Sequence, residues 1–60
     1  MCYVVGMKIK IINMKDEPNY NGREGVITHI DDIGQLHGSW GGLAVIPNVD
    51  SVFVIGWGDE

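Results

Sequence analysis

Cysteine occurs once, at Cys2, so no intramolecular disulfide can form and no cysteine-based zinc site can be assembled. A reducing, cytoplasmic setting is the expectation that follows. Basic residues are also scarce: four Lys and Arg stand against eight Asp and Glu, a net charge of −4. That sign is wrong for an electrostatic grip on phosphates, which disfavours nucleic acid as a partner. No stretch approaches the roughly 20 apolar residues of a membrane span. Met1 to Lys10 has none of the charged head, long apolar run or small-residue cleavage site of a signal peptide. Apolar residues at helical spacing are not sustained over three turns anywhere. What remains is nine glycines and short bursts of Val and Ile, the pattern of strands and tight turns. The expectation is a single all-β domain over residues 1–60. A chain this short buries only about 60% of its unfolded surface, which leaves little stability for a strained catalytic site.

The central stretch, Gly22 to Trp40, reads as a hairpin, with strands Gly25 to Ile30 and Gln35 to Trp40 folded over Asp31, Asp32, Ile33 and Gly34. Those four residues suit a type I turn closed by a left-handed glycine with a bulge. The register then opposes Asp31 to Gln35, Ile30 to Leu36, His29 to His37, Thr28 to Gly38 and Val26 to Trp40. Val26, Ile30, Leu36 and Trp40 share the core face on that register, and Ile27 points outward. A bulge in the second strand would exchange these assignments locally.

Around the hairpin, Met7 to Met14 alternates as a first strand, with Ile9 and Ile11 inward and Lys8, Lys10 and Ile12 outward. Lys15 to Asn21 is a polar loop whose one large apolar group is Tyr20, which either covers an open end of the core or meets a partner. Gly41 and Gly42 form a tight turn into a short strand, Leu43 to Ile46, that Pro47 ends. One helical turn over Pro47 to Asp50 precedes a last strand, Ser51 to Ile55. Both faces of that strand are apolar, which is unusual for a strand with one face in water.

Five short strands, a polar first loop and a helical turn before the last strand resemble a small five-stranded SH3-like barrel. Gly22 and Gly25 followed by Ile27 resemble the start of a KOW-type nucleic-acid module. The residues Gly6, Ile9, Ile11, Ile12, Met14 and Asp16 carry a closer resemblance, together with the run Ile30, Asp31, Asp32, Ile33, Gly34, Gln35, Leu36 and His37. Gly22, Gly25, Ile27, Trp40, Leu43, Ile46, Pro47, Asp50 and Val52 complete it. Across residues 6–55 the chain resembles the bacterial and phage family called domain of unknown function 4314. The resemblance implies fold and a bacterial, phage or mobile-element setting, and no activity. Three positions depart from the family pattern. The loop after Trp40 is short, Gly38 replaces a β-branched core residue, and Phe53 replaces a polar one.

No nucleophile has a motif around it. Cys2 sits at the terminus, Ser39 and Ser51 lack context, and Asp59 and Glu60 lie at the chain end. The glycines precede strands and so form no phosphate loop. The sequence predicts no enzyme and no cofactor. His29 and His37, opposed on neighbouring strands beside Asp31 and Asp32, are weak metal candidates whose expected property is titration near neutral pH. Recognition by surface contact is the leading reading. In such a barrel the first and last strands are neighbours, so Tyr3 to Val5 would run beside Ile55 to Trp57. Phe53, Ile55 and Trp57 would then line one outer row. With Tyr20, they are the expected contact residues for an unidentified protein partner or a second copy of the chain. Nucleic-acid binding through Lys8, Lys10, Lys15 and Arg23 is the alternative. An acidic inhibitor of a host protein is a second.

Overall fold

The structure, a computed structural model, describes residues 3–58. The expectations placed on Cys2, Asp59 and Glu60 lie outside them. Five strands, β1 (Met7–Asn13), β2 (Glu24–Ile30), β3 (Leu36–Gly38), β4 (Gly41–Val45) and β5 (Ser51–Trp57), form one antiparallel sheet in the order β4-β3-β2-β1-β5. The first and last strands are neighbours, as the barrel reading requires. Closure would need β4 to pair with β5, and no such ladder occurs among the described residues, so both strands are sheet edges.

The core is built from the inward side of this sheet. Ile9, Ile11, Ile27 and Val45 are fully buried, Leu36, Trp40 and Met14 nearly so, and Tyr3, Met7, Tyr20, Ile30 and Val52 pack against them. Ile9 and Ile11 occupy the positions that alternation assigned. Ile27 does not. The cause is one extra residue on β2: Ile27 pairs with Gly38 and His29 with His37, so Thr28 is bulged out of the ladder. The bulge turns Ile27 inward and leaves Val26 half-buried, which corrects the core face set by an uninterrupted register. Beyond the bulge, Val26 both donates its N–H to Ser39 Oγ (2.9 Å) and accepts from the Ser39 N–H (3.1 Å).

The β3–β4 connection also differs from expectation. Gly38 pairs with Gly41, so the turn residues are Ser39 and Trp40, and Gly41 and Gly42 open β4. This reversal folds the Trp40 ring back over Gly38. A Cβ at Gly38 would strike that ring and the Val26 carbonyl oxygen. The short loop and the missing β-branched residue are thus one arrangement: the indole fills the core volume that a side chain at Gly38 would take.

Two turns close the remaining chain. Pro18–Tyr20 is a 3-10 turn inside the first loop, where proline's fixed φ suits a first helical position. Asn21 Oδ1 accepts from the Met14 N–H at 2.8 Å and ties the loop's ends together. Before β5, the Asp50 N–H donates to the Ile46 carbonyl at 2.8 Å, a single i,i+4 turn that does not continue as helix. Tyr3 to Val5 joins no ladder, and Gly6 reaches the sheet by donating its N–H to the Ile27 carbonyl (2.9 Å) and accepting at its own carbonyl from the Gly58 N–H (2.6 Å). The chain turns there, with the Met7 N–H donating to the Val4 carbonyl (3.2 Å), and Ile55–Trp57 runs beside Met7 and Lys8 instead.

Candidate interaction surface

Residues Ser51–Trp57 contain no charged side chain, yet they form an edge strand. Phe53 is 59% exposed and Trp57 64%, with Val54 and Ile55 near 40%. Cross-strand partners share a face, so the β1 ladder shows where each one stands. Phe53 lies opposite Lys10, on the outer face with Lys8. Val54 lies opposite the buried Ile9, and Trp57 opposite Met7, on the inner side. A register shift between the Ile9–Val54 and Lys8–Gly56 pairs makes the change, with Ile55 as the extra residue. The single outer row of Phe53, Ile55 and Trp57 is therefore broken. The apolar side chains instead wrap the sheet edge, Phe53 on one face and Val54 and Trp57 on the other. Trp57 reaches past the core to Gly6, where an added Cβ would stand 3.7 Å from its Cε3.

Val54 is not among the expected contact residues, since alternation places it with Val52 on the face opposite Phe53. Val52 is half-buried against the core, whereas Val54 is 42% exposed. The missing signal was the ladder's position at the edge. A strand with one neighbour covers its inner face only as far as that neighbour reaches.

Tyr20 belongs to another part of the molecule. The 3-10 turn sets its ring beneath the Arg23 guanidinium, 3.9 Å from the ring centroid. Arg23 Nη1 donates to the Trp40 carbonyl at 2.9 Å, and a Cβ at Gly41 would lie 2.6 Å from the Tyr20 hydroxyl. Tyr20 is half-buried and packed on the core, so its immediate surroundings are the β3–β4 turn and not β5.

The histidines oppose each other as expected, with ring centroids 5.5 Å apart and planes tilted by 42°. His37 has a duty that the sequence did not reveal, since its Nε2 stands 2.9 Å from Asp31 Oδ2. The other oxygen of Asp31 accepts from the N–H groups of Ile33 (3.1 Å) and Gln35 (2.9 Å). The Gly34 N–H donates to the Asp31 carbonyl and Gly34 has φ +84°, which completes the type I turn with its left-handed glycine. The His37 bond, followed by the Gln35 and Ile33 N–H groups, holds the Asp31 carboxyl below its usual 3.8. Among the described residues, no group of three or more His, Cys, Asp or Glu side chains is placed to hold a metal ion.

These features define a small all-antiparallel β domain with an apolar edge strand, and no helix among the described residues is long and apolar enough to cross a membrane. The profile of a family described as "Domain of unknown function (DUF4314)" matches residues 1–55. The chain belongs to that family. Neither the curated proteins nor the solved structures contain a match to it.

Proposed function

We propose that this domain is a non-enzymatic protein-interaction module whose contact surface is β5, centred on Phe53 and Trp57 and flanked by Ile55 and Val54. One observation carries the reading: an uncharged edge strand exposes large apolar side chains on both of its faces. Water contact is unfavourable for such groups by about 25 cal/mol per Å², and exposed edges usually carry charges or bulges that discourage pairing. Here one bulge is present and the charges are absent. A covering partner removes both the apolar surface and the unpaired backbone edge. A second copy of the chain serves the same purpose, since the patch is self-complementary in being apolar throughout. Tyr20, held by Arg23 and Gly41, takes the structural role of the two considered for it. A reducing, cytoplasmic setting accompanies this reading, supported by the single cysteine, and a bacterial or phage setting is what the family resemblance implies.

The test compares the wild-type chain with a Phe53→Ser, Trp57→Ser variant. Sedimentation and affinity capture from a bacterial lysate are expected to show an association that the wild type makes and the variant loses, with the far-UV spectrum unchanged. Equal behaviour of the two proteins would refute the assignment of β5.

A second reading has one observation in its favour: Lys10 stands directly across from Phe53, with Lys8 on the same face, a pairing of cation and aromatic that suits single-stranded nucleic acid. The net charge of −4 opposes it. Salt-sensitive shifts of the Lys8 and Lys10 signals on adding single-stranded DNA would support it, and their absence would end it.

A further inference from the structure

Away from β5, the first loop, β4 and the turn before β5 surround an open cleft of about 380 Å³. This volume lies within the range of sites that hold small ligands or single side chains. Met14 and Asp50, both buried, form its floor, and Leu43 and Ile46, both partly exposed, form an apolar wall. Asp16 and Glu17 from the loop after β1, Gln35 beside the β2–β3 turn and Ala44 of β4 complete the lining.

The charge of the cleft has one sign. Among the described residues, three carboxylates line it and no Lys, Arg or His side chain does. Asp50 is 8% exposed, and its two oxygens accept one backbone bond each, from Lys15 N–H at 3.0 Å and Ile46 N–H at 2.9 Å. A carboxylate offers about four acceptor positions, so lone pairs remain on the floor. The one ion pair among the described residues, His37 with Asp31, involves none of these groups. The lining's charge therefore favours a cationic occupant. One that also carries an apolar group covers Leu43 and Ile46, which a bare ammonium or metal ion would leave in water.

We propose that this cleft binds an extended segment of a protein partner that presents an Arg or Lys side chain beside an apolar residue, the cation toward Asp16 and Glu17 and the apolar group against Leu43 and Ile46. The site shares no residue with β5 and does not rest on that assignment. Phosphate-bearing partners are repelled by the same carboxylates.

The test is an amide NMR titration of the full chain with the capped tripeptide Leu-Arg-Leu, with capped Leu-Glu-Leu and free arginine as controls. Saturating shifts are expected at Met14, Glu17, Leu43 and Ile46 with Leu-Arg-Leu, and weaker ones with either control. The Asp16→Asn, Glu17→Gln variant, with one site exposed and the other half-buried, is expected to bind roughly five- to tenfold more weakly. Added sodium chloride should weaken wild-type binding, a second measurement that does not depend on the variant. Phe53→Ser should leave the affinity unchanged, which separates this site from β5. The proposal is overturned by any of four results: no saturation by about 10 mM peptide, equal binding of a control, unaltered affinity in the double-charge variant, or shifts at the same amides on raising protein concentration without peptide, which would assign the cleft to a second copy.

Discussion

The β2–β3 hairpin and β5 have similar residues and opposite surroundings. Ile27 in β2 is fully buried, whereas Phe53 in β5, a larger apolar group, is 59% exposed. Each strand carries a bulge beside the residues in question, and the two bulges act in opposite senses. On β2 the extra residue brings Ile27 under the sheet against Leu36 and Val45; on β5 it spreads apolar groups over both sides of an edge. The lesson is that apolar content does not set burial. The face a residue takes and its strand's place in the order do so together: an inner strand has neighbours on both sides and an edge strand has one, and Val45 on the edge strand β4 is buried because it points into the core.

Substitutions sharpen this contrast, beginning with the hairpin. Ile27→Ala is expected to cost about 2–5 kcal/mol in urea unfolding, the range for a truncated core residue. For a domain of this size, that is a large part of its total stability. Gly38→Val comes next at about 1–3 kcal/mol, since the added methyls meet the Trp40 indole and the Val26 carbonyl. A Gly38→Val protein as stable as the wild type would mean that Trp40 does not lie over Gly38. On β5, Phe53→Ser should change stability by no more than about 0.5 kcal/mol while removing association. A large stability loss there would show Phe53 to be core and break the comparison.

The smallest expected effect concerns acid. Asp31 titrates below its usual value in the folded state, so its contribution is fully present above that ordinary value and disappears as pH falls through the lowered one. Unfolding midpoints of the wild type and Asp31→Asn should therefore differ most at neutral pH and converge on acidification. A gap that stays constant at low pH would show that the charge of Asp31 is not what the hairpin uses.

Much of the fold was legible because it is local. Asp31 to Gly34 specify their turn by short-range chemistry, and Ile9 and Ile11 declare a buried face by alternation. The resemblance carried by Ile30 to His37 led to the family that the profile confirms over residues 1–55. The errors fall where one residue is inserted into a ladder. Nothing in the letters Val26, Ile27 and Thr28 says which is bulged; the partner strand decides, through Trp40 occupying the space over Gly38. The outer row on β5 failed for the same reason at Ile55. The His37–Asp31 pair and the cleft between the first loop and β4 join residues from different elements, so no local pattern encodes them.

The sequence by itself determined an all-β chain, the hairpin turn, the opposition of His29 and His37, and the neighbouring of first and last strands that its topology implies. These follow from turn geometry and period-two patterning, which act over a few residues. Only the tertiary structure decided which isoleucine enters the core, how Tyr20 is held, that β4 and β5 remain edges, and that Phe53 and Trp57 face opposite ways. Each depends on the register between strands, and a shift of one residue moves every following side chain to the other face.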